Sequence, residues 1–101
     1  MASHDKLKIM LSIMRELSDG NYPMASDYEI EDEEYYNVLE ACQDQEYIKN
    51  VRIKYGAQGH IIWATIEDAR LTVKGMEYLH ENSTAMKTYK GLKEIREWLP
   101  W

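Results

Sequence analysis

The chain has no phenylalanine, a single cysteine and two prolines among its 101 residues. It also has no lysine or arginine anywhere between Glu16 and Ile48. Each absence excludes something. One thiol, Cys42, cannot close an intramolecular disulfide and fits a reducing compartment. No apolar run approaches the ~18 residues of a membrane span. The start, Met1-Ala2-Ser3-His4-Asp5-Lys6, has no apolar stretch of the kind that opens a signal peptide, so a cytoplasmic protein with no membrane association is expected. His4, His60 and His80 are scattered, and no Cys-x-x-Cys, His-x-x-x-His or EF-hand spacing occurs, so neither a metal site nor a cofactor is expected. Gly56 and Gly59 flank a turn with no lysine after it, which excludes a phosphate cradle of the P-loop kind. Carboxylates are plentiful, but consecutive acids on one helical turn point apart. A catalytic pair and a small-molecule substrate are therefore not expected.

What is present is a segregated charge. Residues 16–48 carry eleven acids and no lysine or arginine; 1–15 carry three cations against one acid, and 49–101 nine against six, which together give the net charge of −6. The composition, 45% hydrophobic and 30% charged, is that of a globular protein. The length fits one domain, 1–101.

Helical spacing marks residues 5–18, with Leu7, Met10, Leu11, Met14 and Leu17 as a buried stripe, Asp5 as cap and Gly20 as stop. Pro23 breaks the chain, and a short first strand is placed near 21–24, with Ser26 or Asp27 capping a single helical turn. The spacing predicts a helix over 32–45, with Tyr35, Val38, Leu39 and Cys42 inward. Asp32, Glu33 and Glu34 fall in its first turn, where the helix dipole favours anions. Alternation over 47–55 and 60–66 around Gly56–Gly59 predicts a hairpin. Thr72 caps a helix to about Glu81 with Met76 and Leu79 inward. Thr84 opens a last helix to Leu99, stopped by Pro100. The fold class expected is α+β: a winged helix-turn-helix, mostly helical, with a two- or three-stranded β-wing and a C-terminal helix.

Three segments carry a resemblance across nearly the whole chain. They are Asp5-Lys6-Leu7-Lys8, Leu71-Thr72-Val73-Lys74-Gly75-Met76-Glu77-Tyr78-Leu79, and Lys87-Thr88-Tyr89-Lys90-Gly91-Leu92-Lys93-Glu94-Ile95-Arg96-Glu97-Trp98. Together they resemble the YjcQ-like family of small bacterial and prophage winged-helix proteins. The resemblance implies a winged-helix fold and a bacterial or prophage origin. It implies no activity and carries over no functional residues.

A DNA-reading winged helix places the helix at 32–45 in the major groove. Here that helix offers Glu33, Glu34, Tyr36, Asn37, Glu40, Ala41, Gln43 and Asp44, with no cation to meet phosphates. Asn37 and Gln43 could read adenine, but ordinary docking would be repulsive. Two readings of the acidic face stand side by side: a solvated surface, or a surface that binds a basic protein or mimics DNA. The expectation is a non-enzymatic binding module whose protein-interaction face comprises Tyr28, Glu31, Glu33, Glu34, Tyr36 and Glu40, with Tyr28 and Tyr36 exposed. The alternative is a DNA-binding regulator that docks through Arg52 and Lys54 of the wing with Lys87, Lys90 and Lys93, which share one edge of the last helix. Trp63 is expected to pack under a helix rather than join that basic patch. Trp98, Leu99 and Trp101 are expected to fold back on the first helix or form a homodimer seam.

Overall fold

The computed structural model describes residues 3–99, with side chains from Lys6 onward. Pro100 and Trp101, expected to stop the last helix and close the chain, lie outside the described residues. The fold is α+β and consistent with a winged helix. Its elements are α1 (Ser3–Ser18), α2 (Ala25–Tyr28), α3 (Asp32–Asp44), β1 (Ile48–Lys49), β2 (Arg52–Tyr55), β3 (Ile61–Thr65), β4 (Arg70–Leu71), α4 (Val73–Glu81), α5 (Ser83–Met86) and α6 (Ile95–Trp98). No helix among the described residues is long and apolar enough to cross a membrane.

The first helix is the axis of the core. Residues 9–14 are all buried, Ser12 included. A helix buried on every side is packed all round, and α3, β4 and α4 surround this one. Ile9 and Ile13 therefore join the expected stripe, while Leu7 is 41% exposed and Leu17 half-buried. Asp5 is not the cap, because the helix already runs from Ser3.

No strand forms at 21–24. Pro23 is instead pinned by the Tyr35 hydroxyl, which donates to its carbonyl at 2.6 Å. Met24 becomes the residue before α2, and the Asp27 carboxylate accepts from its backbone N–H at 2.7 Å. Asp27 thus supports this turn from inside it.

The strand expected over 47–55 is broken. β1 pairs with β4, Ile48 opposite Leu71 and Lys49 opposite Arg70. β2 pairs with β3, Arg52 opposite Thr65, Ile53 opposite Ala64 and Lys54 opposite Trp63. The chain changes partner at Asn50, whose φ is +67°. The change would orphan the backbone of Val51. Gln43 repairs it: its amide oxygen accepts from the Val51 N–H at 2.8 Å, and its amide nitrogen donates to the Val51 carbonyl at 3.2 Å.

The helix expected over 84–99 is also broken. It becomes α5, a 3-10 turn at Leu92–Glu94 and α6, with Gly91 at φ +99° between them. Tertiary contacts explain the break. The Tyr89 ring meets Trp98 edge-on at 4.8 Å, and its hydroxyl reaches Ser12 and Glu16 of α1. Trp98 and Leu99 are buried, so this segment folds back onto the core as one of its two expected outcomes.

Candidate functional site

The eleven acids of 16–46 sort by what their side chains touch. Four have side-chain or backbone partners within the protein. Glu16 is buried and accepts from the Tyr89 hydroxyl and, at 2.9 Å, from the Asn21 amide. Asp19 pairs with Arg15 at 3.2 Å. Asp27 holds Met24, and Glu29 pairs with Arg96. A fifth, Glu40, accepts from the Tyr55 hydroxyl at 2.7 Å. The remaining six, Glu31, Asp32, Glu33, Glu34, Asp44 and Glu46, have no cation within ion-pairing distance among the described residues. All six lie on α3 or at its ends.

α3 positions them by its own periodicity. Tyr35, Val38, Leu39 and Cys42 are buried. The opposite side therefore projects outward, with Glu33, Asn37 and Asp44 exposed and Glu34 and Glu40 half-buried. Glu31 precedes the helix in extended conformation without capping it through its side chain, and stays exposed. The helix dipole stabilises the first-turn acids by roughly 0.3–1 kcal/mol each at best, but it opposes the carboxylate of Asp44 at the other end.

The tyrosines do not follow expectation. Tyr28 is 1% exposed, not a surface anchor. It sits three residues after Ala25 on the single inward face of α2, and its hydroxyl bonds Ser12 at 2.9 Å. Burial pushes its ionisation well above the usual tyrosine range. Tyr36 is half-buried, tilted against Tyr35 with ring centroids 6.1 Å apart. The apolar surface beside the acids comes instead from Met24, 53% exposed, whose sulfur lies 4.0 Å from the Tyr35 hydroxyl. An apolar residue directly after a proline that breaks the chain was the available signal.

The polar members of α3 are divided as well. Asn37 stays exposed, whereas both ends of the Gln43 amide are committed to Val51, so Gln43 is not available to read a base. Cys42 is fully buried, and desolvation pushes its thiol up to about 12, which fits a core residue.

The basic candidates fall into separate places. Lys54 stands directly across from Trp63, and Arg52 across from Thr65, so all four share one face of the hairpin. Trp63 is 39% exposed there rather than packed under a helix. Arg52, however, is bridged to Asp68 at 3.1 Å. Lys90 is held by Glu97 at 3.5 Å and Glu94 at 4.0 Å. Lys87 and Lys93 are exposed, but on either side of the break at Gly91, so the expected lysine edge does not form as one line. No hydrogen bond or ion pair among the described residues joins the hairpin to 83–98. No group of His, Cys, Asp and Glu among those residues has the arrangement of a metal site.

A family model described as YjcQ protein matches residues 8–98. A protein of Bacillus subtilis (strain 168), "Uncharacterized protein YjcQ", is 30% identical over 96 residues, covering 94% of this chain and 98% of its own. No solved structure matches.

Proposed function

The chain belongs to the YjcQ family, and from that premise and the geometry of α3 we propose that it works as a non-enzymatic binding module whose acidic face receives a basic protein surface. The supporting observation is the sorting of the acids. Carboxylates elsewhere in 16–46 are used within the fold, while those of α3 and its flanks have no cation in reach among the described residues, Glu40 being bonded to the Tyr55 hydroxyl. Unneutralised charge of one sign on one helix face raises the local concentration of oppositely charged partners and speeds their arrival. Met24 and Tyr36 supply apolar area at its edge.

The rival ligand is duplex DNA, favoured by the exposed Lys54–Trp63 pair. Its weakness is that Arg52 and Lys90 already hold carboxylates. Amide NMR separates the two. An arginine-rich peptide at low salt is expected to move the signals of 31–44, and Glu33→Lys with Glu34→Lys is expected to abolish those shifts. Mixed-sequence duplex DNA is expected to leave the protein unmoved. Shifts on the hairpin with DNA, lost in Arg52→Ala with Lys54→Ala and strengthened by the glutamate reversals, would replace this reading with backbone docking.

A further inference from the structure

Away from α3 lies a groove of opposite character. Two cavities, of about 600 and 220 Å³, share Ser18, Leu71 and Met76 and so run together between the end of α1, β4, α4 and α5. The floor is apolar: Leu71, Met76, Leu79 and Met86. Met76 is 54% exposed, although the helical spacing of α4 predicts it inward. Methionine is flexible and polarizable, and it adapts to ligands of irregular shape.

The rim is basic. Arg70 stands at one end and Lys87 with the His80 ring at the other. Among the described residues the one carboxylate lining the groove, Asp19, is already held by Arg15. A second observation points the same way. Lys49 and Arg70 are direct register partners in the β1–β4 ladder, so their side chains leave the same face together. Like charges directly opposed on a sheet repel. Neither has an acidic partner among the described residues, on a chain with 18 acids against 12 cations. Lys49 itself lines neither cavity, but a carboxylate that reaches Arg70 from the groove would relieve that repulsion.

We infer that this groove receives an acidic, amphipathic peptide segment of a partner protein, with apolar side chains on Met76 and Leu79 and carboxylates toward Arg70 and Lys87. An open trough with charge along its rim suits an amphipathic helix laid lengthwise in it. The surface is separate from the acidic face of α3, and the inference does not rest on that reading.

The test uses a fluorescein-labelled synthetic peptide with glutamate and leucine at helical spacing, its lysine-for-glutamate counterpart, and dodecanoate as a small anionic amphiphile. Binding is followed by anisotropy and by methionine methyl NMR. The glutamate–leucine peptide is expected to bind, to move the Met76 and Met86 methyl signals, and to weaken with salt. Met76→Glu, and Arg70→Glu with Lys87→Glu, alter exposed side chains and are expected to weaken it at least about tenfold each. Glu33→Lys on α3 is expected to change nothing. The inference is overturned if the peptide fails to bind at about 1 mM, if the groove variants bind it equally well, or if the lysine counterpart binds as tightly. Dodecanoate moving those methyls where the peptide does not would overturn the peptide as occupant.

Discussion

Gly75 of α4 lies against the carbonyl oxygen of Tyr47, so close that a Cβ at position 75 would stand well under 3.0 Å from it and within 2.6 Å of the Leu71 side chain. The surrounding motif is built around the same residue. Thr72 donates from its backbone N–H to the Tyr47 carbonyl at 3.0 Å, while its hydroxyl caps α4 by accepting from the Gly75 N–H at 2.9 Å. The Tyr78 ring stacks on Tyr47 with centroids 4.3 Å apart, and the Lys74 ammonium lies 5.7 Å above it. The Leu-Thr-x-Lys-Gly-x-x-Tyr segment is therefore the docking edge of α4 on the entry to β1.

Gly75→Ala is expected to destabilise the fold by about 3 kcal/mol, at the upper end for overpacking, because a backbone carbonyl cannot move aside as a side chain can. Thermal or urea unfolding measures it. A gain of up to about 1 kcal/mol, the ordinary effect of replacing glycine by alanine within a helix, would show that α4 does not approach Tyr47 this closely.

Gln43→Leu removes both hydrogen bonds to Val51, itself only 7% exposed. The expected cost is about 2 kcal/mol, since a buried donor and acceptor are left unmade. Hydrogen exchange at the Val51 amide is expected to accelerate far more than at Ile48. Unchanged protection at Val51 would contradict the geometry.

Tyr89→Phe breaks a directed chain of donors. Glu16 can only accept, so the Tyr89 hydroxyl donates to it; Ser12 donates to Tyr89, and Tyr28 in turn donates to Ser12. The substitution is expected to cost about 2 kcal/mol by leaving a buried carboxylate short of a partner. Adding Glu16→Gln is expected to cost less than the sum of the two single changes, a coupling that a double-mutant cycle reads directly.

Alkaline pH is expected to unfold the protein through its tyrosines. Burial first of all, and for Tyr89 also the bond to Glu16, raises the ionisation of Tyr28, Tyr35 and Tyr89 above the ordinary 10.0. All three are neutral in both states below pH 10.0, so their contribution is fully present there. Above it the unfolded chain loses protons that the folded chain keeps, and stability falls as pH rises. The melting temperature is expected to fall as the pH rises above about 10, with a block of tyrosinate absorbance appearing only as the fold is lost. Titration of all eight tyrosines in the folded protein would contradict their burial.

The α3 face, the hairpin and the cap at Thr72 were legible in the sequence because each is a local pattern: four apolar residues at helical spacing, alternation around Gly56 and Gly59, a threonine before a periodic run. What was not legible depended on partners distant in the chain. Ser12 and Glu16 look like solvent-side residues of α1 until Tyr28 and Tyr89 arrive to bond them. Tyr28 looks like a surface tyrosine in an acidic stretch for the same reason. The run 84–99 has helical spacing throughout, yet the contacts of Tyr89 and Trp98 win over propensity, and Gly91 supplies the turn. In the candidate site the acids were visible by count. Which of them the fold consumes was not, because ion pairs such as Glu29 with Arg96 span 67 positions.

The clamp of Tyr89 on α1 also sets an order of events during synthesis. Ser12 waits 77 residues for the hydroxyl it bonds, and Glu16 waits 73. At translation speeds of roughly 5–20 residues per second, the first helix spends several seconds outside the ribosome with a carboxylate and a serine on a surface that has no cover yet. Contacts so far apart in the chain slow the final step. The nascent protein would thus hold its helices and hairpin loosely and lock only when the segment carrying Tyr89, Ile95 and Trp98 emerges, so that ribosome-stalled chains ending before residue 89 should remain open to protease while those carried on a C-terminal linker long enough to bring residue 99 out of the tunnel resist it.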